Sequence, residues 1–310
     1  MTCYLIVGAT GFLGSHFIRS LGQNDQFFVL SRNKSSAAKR IRSLNPSAEF
    51  RGTIQWDPCS GPPPERVFDG VNTLVNFTGE SVAKGRWTAN KKRRIRDSRV
   101  LATTHLVQGL LTADHTVTTY LSISAVGYYG FPGDVELTES SNSGSDFLSK
   151  VVIDWEAPLT QLNPDVIRVL TARVGVVLGR DEGALPQMLR PFRFFAGGRL
   201  GSGKQWVPWI HIADCVSSLR FLIDSKQPAG VYNITGPTPT TNRQLTKAIA
   251  NALHRPAIFP MPGPILRILL GGFAEVLLES QKAIPKRLLE SGFRFQHPTV
   301  EDAIQDLLGD

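Results

Sequence analysis

A glycine-rich turn near the amino terminus constrains this chain more than any other feature of its sequence. It follows a buried strand pattern at residues 3–8 and precedes a helical pattern at residues 12–21. The first glycine can make a tight turn, the second lets the backbone approach a pyrophosphate, and the third lets the helix pack closely on the sheet. The turn therefore predicts a dinucleotide-binding βαβ unit. The residues expected at the pyrophosphate are Gly8, Thr10, Gly11, Phe12, Leu13 and Gly14.

Strand and helix patterns alternate over the first 180 residues. Further strands are predicted at 27–31, 53–57, 73–77, 120–124 and 166–174, and helices at 36–44, 88–111 and 147–162. This alternation is typical of a Rossmann-type, doubly wound parallel sheet, which binds its ligand at the carboxyl ends of the strands. The fold class is therefore α/β.

The regular alternation of strand and helix patterns ends at about residue 180. Helices are predicted at 212–223 and 242–253, with a strand at 231–234 between them. Four prolines, at positions 256, 260, 262 and 264, then indicate a boundary. We expect a Rossmann domain at 1–255 and a small, mainly helical C-terminal domain at 256–310.

Composition indicates a soluble globular protein in a reducing compartment. The hydrophobic fraction is 42% and the charged fraction 19%, and apolar runs such as 265–270 are too short to span a bilayer. The amino terminus has no charged region before an apolar one, as a secretory signal would. Cys3, Cys59 and Cys215 are isolated, without metal-ligand spacing. We expect a cytoplasmic protein.

The net charge of +8 indicates an anionic partner. The chain has no nucleic-acid-binding motif and no basic patch interleaved with aromatic residues. The densest basic run, residues 91–94, lies in a predicted helix and is either a solvated face or a contact for cofactor phosphates and substrate. We expect a small, anionic substrate, no nucleic acid and no membrane partner, and a monomer or homodimer.

The end of the second strand predicts the cofactor. NAD enzymes usually have an acidic residue there, which binds the ribose 2′-hydroxyl. Here residues 30–34 contain no acid, whereas Ser31 and Arg32 can bind a 2′-phosphate. NADP is therefore favoured, the alternative being an ordinary basic surface turn.

Several further blocks resemble one family closely. Ser122-Ile123-Ser124-Ala125-Val126-Gly127-Tyr128-Tyr129-Gly130 resembles the serine-containing strand end of extended short-chain dehydrogenases and of the NAD-dependent epimerase/dehydratase superfamily. The blocks at 76–80, 86–88, 95–99, 176–180, 201–206, 209–211 and 284–286 resemble an atypical branch of that superfamily, called epimerase family protein. Some members of this branch are labelled cell division inhibitors, and the branch ends in its own small domain of unknown function. The resemblance covers nearly the whole chain.

The resemblance implies roles for particular residues. Ser31 and Arg32 match the NADP 2′-phosphate site, and Val177 would approach the nicotinamide. Asp57 would either bind the adenine amino group or cap a turn before Pro58. The other residues implied at the cofactor are Phe77, Thr78 and Gly79 after the fourth strand and Arg94 and Arg99 on the following helix.

The usual catalytic pair of this superfamily is not matched. Ordinary members use a tyrosine and a lysine four residues later, whose charge lowers the tyrosine pKa from its reference value of about 10. Ser124 matches the serine that orients the substrate, but Asp146 stands four residues before Lys150. An alignment on Glu156 instead places Leu148 and Val152 at the two positions.

Two tyrosines that follow Ser124 are alternative proton donors. Tyr128 or Tyr129 would need a cation other than that lysine, and packing or substrate contact is the commoner role of an aromatic there. His211 is either catalytic or, more often for such a position, structural at a helix start. Trp206, Trp209 and Arg190 are expected on the substrate side of the cleft, and no metal site is predicted.

Two functions follow from these observations. The first is an NADP-dependent oxidoreductase or epimerase acting on a small substrate with a hydroxyl or carbonyl group. The second is an NADP-binding regulatory protein with little or no catalysis, which the missing tyrosine–lysine pair and the division-related labels favour. A third function, nucleic-acid binding, is supported by the net charge alone.

Overall fold

The computed structural model describes residues 2–309 and contains one large parallel sheet with helices on both faces. The strands are β1 (Cys3–Val7), β2 (Gln26–Ser31), β3 (Glu49–Gln55), β4 (Thr73–Asn76), β5 (Thr119–Ala125), β6 (Glu136–Leu137), β7 (Arg168–Val174), β8 (Val176–Leu178), β9 (Trp206–Val207), β10 (Trp209–His211), β11 (Gly230–Ile234), β12 (Thr240–Thr241) and β13 (Lys282–Ala283). The helices are α1 (Phe12–Arg19), α2 (Lys34–Ser43), α3 (Ala89–Thr112), α4 (Phe147–Glu156), α5 (Leu185–Arg193), α6 (Ile212–Asp224), α7 (Asn242–Ala252), α8 (Gly263–Leu270), α9 (Phe273–Leu278), α10 (Lys286–Glu290) and α11 (Val300–Leu308).

The strand order confirms the doubly wound prediction. The sheet runs β11-β7-β5-β4-β1-β2-β3, and all neighbouring strands are parallel. The chain proceeds outward from β1 in one direction and then from β4 in the other, so the strand order reverses between these two. Ligands of open α/β sheets bind outside the carboxyl ends of the strands at such a reversal.

The first strand shows why both faces of the sheet are covered. Tyr4 and Ile6 lie in one apolar cluster with α1 and α6, whereas Leu5 and Val7 lie in a second cluster with α3. All four side chains are at most 2% exposed. A strand buried on both sides produces the continuous apolar run from which β1 was predicted.

One predicted helix is shorter than expected. The pattern over 147–162 predicts a single helix, but α4 ends at Glu156 and a 3-10 turn continues over Ala157–Gln161. Pro158 lacks an N–H group and its ring crowds the preceding turn, which ends the regular helix. The helices predicted at 212–223 and 242–253 are found as α6 and α7. The sequence analysis did not predict α5 or the three two-stranded sheets, β10-β8, β12-β9 and β13-β6.

The C-terminal segment is mainly helical, as expected, and shares its core with the large sheet. Leu288 and Phe293 belong to the cluster that covers one sheet face, and Ile304 of α11 packs with α7. The short strand β13 pairs in parallel with β6. Within residues 2–309, no helix is both long enough and apolar enough to cross a membrane.

Candidate functional site

The glycine turn brings β1, β4 and α1 into direct contact. Gly8 has φ +75°, and a Cβ on it would lie 2.7 Å from the carbonyl carbon of Phe77. A Cβ on Gly14 would lie 2.5 Å from the carbonyl oxygen of Gly8. The N-cap residue of α1, Gly11, offers no side-chain cap, so the first N–H groups of the helix are left for an anion. The geometry suits the pyrophosphate role predicted for the turn.

Gly8→Ala is expected to destabilise the protein by about 2–3 kcal/mol and to weaken NADPH binding, because it adds backbone overlap to the cost of a left-handed alanine. The matched control is Gly70→Ala, since Gly70 has φ +69° and open space around its Cβ position. The control should lose only about 1 kcal/mol and keep its NADPH affinity. Urea denaturation and calorimetry measure both quantities. Equal losses in the two variants would contradict the close-approach role of Gly8.

The residues predicted for the 2′-phosphate lie at the carboxyl end of β2. Ser31 is the last residue of β2, and Arg32, directly after it, is exposed. Arg32 lies near enough to Glu80, in the loop after β4, to contribute to its charge balance. The pKa of Glu80 is lowered chiefly by the hydrogen bond from Lys91, with smaller contributions from Arg94 and Arg32. Arg32 therefore lies near the loop after β4, at the carboxyl ends of the strands.

Asp57 adopts the second of its two predicted roles. Its Oδ1 accepts a hydrogen bond of 3.0 Å from the backbone N–H of Cys59, which caps the turn at Pro58. The carboxylate is exposed. A contact with adenine stays a prediction.

A buried asparagine organises the end of β4. Asn76 is fully buried, and its Oδ1 accepts hydrogen bonds from the backbone N–H and the hydroxyl of Thr78. Its Nδ2 donates to Thr103 of α3 at 3.1 Å. The ring of Phe77 packs against Phe17 of α1, with 5.3 Å between the ring centroids. Phe77 and Thr78 are thus held beside the glycine turn, where the resemblance places them.

The two arginines implied on α3 have different positions. Arg99 is folded inward: it donates to the carbonyl oxygen of Glu80 at 2.9 Å and lies over the ring of Trp155. Burial lowers the pKa of Arg99 to about 10. A Cβ on Gly79 would lie 3.1 Å from the guanidinium carbon of Arg99, so Arg99 packs directly against the loop after β4. Arg94 is 66% exposed and 3.9 Å from Glu80. Cofactor contacts of both stay predictions.

Val177 lies on β8, and the residues that follow β8 pack directly on the glycine turn. A Cβ on Gly179 or Gly183 would lie within 2.7 Å of the ring of Phe12, the first residue of α1. Val177 is half-buried, and its carbonyl oxygen accepts a hydrogen bond from Ala184. The pyrophosphate turn and the predicted nicotinamide end are therefore in contact.

A buried ion pair lies beside Ser124. Arg173 on β7 is directly opposite Ser124 on β5 in the sheet register. Its guanidinium donates two hydrogen bonds, of 2.9 and 2.6 Å, to Glu156 at the end of α4. The Ser124 hydroxyl donates to the same carboxylate at 2.5 Å. The side chains of Arg173 and Glu156 are 4% and 15% exposed.

Arg173 also contacts both candidate tyrosines. Its guanidinium carbon lies 3.3 Å from the ring centroid of Tyr128, and its Nη1 donates to the Tyr129 hydroxyl at 3.1 Å. The Tyr129 hydroxyl donates to Asn233 at 2.7 Å, and burial raises the pKa of Tyr129 although Arg173 opposes this. Tyr128 is half-buried, and no hydrogen bond of its hydroxyl is found within residues 2–309. Tyr128 is thus the tyrosine with a free hydroxyl and an adjacent cation.

A cation near the tyrosines was expected, but Arg173 was not identified as that cation from the sequence. The available signal was an arginine between Ala172 and Val174 in the buried half of β7, where a charge is unusual unless it is paired. Lys150, the lysine considered from the sequence, is exposed on α4, and Asp146 caps that helix. The structure brings neither of them to Ser124.

The C-terminal segment supports the turn that contains both tyrosines, Val126–Tyr129. Gln281 is buried, and its Nε2 donates to the carbonyl oxygens of Val126 at 2.9 Å and Gly130 at 2.7 Å, one at each end of the turn. Asn233 accepts from the Tyr129 hydroxyl through its Oδ1 and donates through its Nδ2 to the carbonyl oxygen of Ile284 at 2.9 Å. These contacts could not be predicted because their members are distant in sequence.

His211 has the structural role that was the commoner expectation. It is the N-cap of α6, and its Nδ1 accepts a hydrogen bond from the Ala213 N–H at 3.1 Å. Burial, followed by the neighbouring His297, lowers the pKa of His211.

His211 also belongs to a group with metal-ligand chemistry that the sequence analysis did not find. Potential ligand atoms of His211, His297 and Asp306 lie within 4.8 Å of one another. Because Nδ1 of His211 accepts a hydrogen bond, the neutral ring has its proton on Nε2, 3.2 Å from the Asp306 carboxylate. His211 therefore presents an N–H group to Asp306 where a metal would need a lone pair.

Of the residues expected on the substrate side, Trp209 was wrongly placed. It is 1% exposed in the core, and its Nε1 donates to Thr240 at 3.0 Å, because the apolar ring completes the cluster beneath β10. Trp206 is half-buried and donates to Asp134 at 3.1 Å, and Arg190 is exposed on α5.

Two family models match this chain. The model of the NAD dependent epimerase/dehydratase family matches residues 4–235, and a domain of unknown function, DUF1731, matches residues 261–307. A chloroplastic epimerase family protein homologue from Arabidopsis thaliana is 36% identical over 311 residues, covering 98% of this chain and 86% of that protein. Epimerase family protein YfhF from Bacillus subtilis is 34% identical over 307 residues, covering 98% and 97%.

Comparison with solved structures gives similar folds. The crystal structure of human epimerase family protein SDR39U1 with NADPH has a TM-score of 0.86 and 30% identity and covers 99% of each chain. UDP-glucuronic acid 4-epimerase from Bacillus cereus, in complex with NAD, has a TM-score of 0.77 and covers 98% of this chain and 96% of its own. At 13% identity, the latter likeness concerns the fold alone.

Proposed function

Since the chain belongs to the NAD dependent epimerase/dehydratase family, we propose that it is an NADP-dependent oxidoreductase or epimerase that acts on a small, anionic substrate with a hydroxyl or carbonyl group. The observation that supports this best is the arrangement of Ser124, Tyr128 and Arg173 at the carboxyl ends of β5 and β7. A substrate-orienting hydroxyl, a free phenol and a cation lie together where such sheets bind their ligands. The net charge of +8 supports an anionic substrate.

NADP is the cofactor that fits these residues. The glycine turn leaves room only for backbone at Gly8 and Gly14. The first turn of α1 has uncapped N–H groups that a pyrophosphate could bind. Arg32 is exposed at the end of β2 and no acidic residue replaces it there. The human relative binds NADPH in its crystal structure, which supports the same choice for this chain.

The proposed chemistry assigns a separate task to each residue. Bound NADPH would supply a hydride to a substrate carbonyl carbon, and Tyr128 would donate its phenolic proton to the oxygen, which produces an alcohol. Arg173, stacked on the Tyr128 ring, stabilises the phenolate until solvent returns the proton. Ser124 donates its own hydrogen to Glu156, so its oxygen can accept a hydrogen bond from the hydroxyl of the alcohol that forms. Arg173 and Glu156 together hold Ser124 in this orientation.

Arg32→Ala tests the cofactor preference. We expect NADPH affinity to fall about 10–100-fold, the effect of losing hydrogen bonds to a charged group, with NADH affinity unchanged. Arg66→Ala is the control, because Arg66 is exposed before β4, away from the carboxyl ends of the strands. Calorimetric titration of each variant with both cofactors measures the effect. Equal losses for NADPH and NADH would refute the 2′-phosphate role.

An NADP-binding regulatory protein is the second candidate. The specific observation in its favour is that Lys150, the lysine considered from the sequence, is exposed on α4, while the Ser124 hydroxyl donates to Glu156. NADPH oxidation with a panel of anionic aldehydes, ketones and keto sugars separates the two. Tight NADPH binding without turnover of any member would favour regulation, whereas turnover supports the enzyme.

A further inference from the structure

The net charge of this protein is concentrated in one part of the chain. Residues 183–274 contain ten Lys and Arg and only two acidic residues, Asp214 and Asp224. This segment therefore has a net charge of +8, equal to that of the whole chain, and the remaining residues are balanced. It runs from α5 to α8 and includes the strands β9 to β12.

Most of these basic groups are not neutralised by an acidic neighbour. Asp214 is buried and accepts backbone hydrogen bonds from residues 296 and 297, and Asp224 is paired with Arg220. Within residues 2–309, one further basic residue of this segment forms an ion pair. It is Arg267, which pairs with Glu275. The basic residues without such a pair are Arg190, Arg193, Arg199, Lys204, Lys226, Arg243, Lys247 and Arg255.

Two adjacent phenylalanines project from the same segment. Phe194 is 82% exposed and Phe195 is 54% exposed, just after the end of α5. Phe195 has φ +56°, a left-handed conformation that is costly for a bulky residue and that concentrates at functional sites. The guanidinium of Arg255 stacks on its ring at 3.9 Å. A strained loop thus presents aromatic rings to solvent between basic side chains.

A second apolar strip lies beside this loop. The backbone N–H of Phe259 donates to Gly197, two residues after Phe195, and Ile258 and Phe259 are 70% and 57% exposed. The helix α8 starts four residues later and has three exposed apolar residues spaced i, i+3 and i+4. We call the whole set the apolar patch: Phe194, Phe195, Ile258, Phe259, Ile265, Ile268 and Leu269.

We propose that the apolar patch and its surrounding arginines and lysines dock this protein on the surface of an anionic phospholipid membrane. The charge argues for this occupant, since basic side chains are attracted electrostatically to a surface of anionic lipids. A protein partner fits less well, because the cores of protein interfaces are depleted of charge, whereas here Arg193 and Arg255 flank the aromatic rings. Aromatic rings with basic neighbours suit the bilayer interface. The proposal replaces the sequence-based expectation of no membrane partner. Such docking needs no membrane-spanning helix, so it is compatible with the absence of one within residues 2–309.

Co-sedimentation of the full chain with vesicles tests the proposal. We expect binding to vesicles of phosphatidylcholine and phosphatidylglycerol in equal parts, weaker binding at high salt, and little binding to phosphatidylcholine alone. The double variant Phe194→Ser, Phe195→Gly should bind the anionic vesicles at least about tenfold more weakly. Glycine suits the backbone of position 195, so this variant should remain folded.

The matched control removes two exposed apolar side chains outside the patch. Leu111 and Val166 are both 54% exposed, and Leu111→Ser with Val166→Ser should leave vesicle binding unchanged. Absence of binding to anionic vesicles, or equal binding by the Phe194/Phe195 variant, would overturn the proposal. So would self-association through the patch without vesicle binding, because the occupant would then be a second copy of the chain. NADPH affinity, measured on the same samples, tests the proposed function separately.

Discussion

Arg173→Met is expected to lower the free energy of unfolding by about 3–4 kcal/mol, because removing one partner of a buried ion pair leaves the other charge uncompensated. Glu156 would remain in place with only the Ser124 hydroxyl as a donor, in a site where its side chain is 15% exposed. The Tyr129 hydroxyl would lose a donor at 3.1 Å in the same step. Urea denaturation monitored by tryptophan fluorescence measures the loss.

Two further variants isolate the cause. Adding Glu156→Gln to Arg173→Met removes the stranded charge and should restore at least half of the lost stability. Arg96→Met is the exposed control: Arg96 pairs with Asp154 at 3.0 Å, but the two side chains are 47% and 45% exposed. Its removal should cost less than about 1 kcal/mol. A small effect of Arg173→Met, similar to that of the control, would mean that burial does not strengthen the pair.

Tyr128→Phe should reduce turnover with any substrate found for the enzyme about 10²–10⁴-fold, the usual contribution of a positioned proton donor. The phenyl ring can keep its stacking contact with Arg173, so stability and NADPH affinity should change little. The measurement is kcat from NADPH oxidation, with calorimetry for the cofactor. Unchanged kcat would remove Tyr128 from the mechanism.

Tyr129→Phe is the matched comparison. The Tyr129 hydroxyl is buried between Arg173 and Asn233, and its loss leaves both with one unpaired group. We expect a loss of about 1–3 kcal/mol in stability but a turnover per folded molecule close to that of the parent protein. A large fall in kcat here, without one for Tyr128→Phe, would exchange the roles of the two tyrosines.

The C-terminal segment has a direct connection to this site. Gln281 and Asn233 hold the turn of the two tyrosines from both ends, and Thr235 donates to the carbonyl oxygen of Ala283 at 3.2 Å. The segment matched by the domain of unknown function therefore supports the candidate catalytic turn. Residues 283 and 284 contribute backbone carbonyl oxygens, which many sequences could supply, whereas Gln281 contributes its side-chain amide.

The local parts of the fold could be predicted from the sequence because each depends on neighbouring residues. The run at 4–7 indicates a strand buried on both faces, and Gly8, Gly11 and Gly14 indicate a turn that no side chain can enter. Ser31 and Arg32 follow the second strand at a position where the fold itself places the 2′-substituent. The first strand, the first helix and the glycine turn between them follow from such short-range patterns.

The chemistry beside Ser124 was decided by tertiary structure alone. Arg173 is 49 residues from Ser124 in sequence, yet the parallel pairing of β5 and β7 sets them side by side. Trp209 was expected in the cleft, but packing beneath β10 buries it. Hydrophobic patterning specifies which residues are buried and not which of them meet, because strands distant in sequence become neighbours only in the folded sheet. The ion pair of Arg173 with Glu156, beside Ser124, is a product of that pairing.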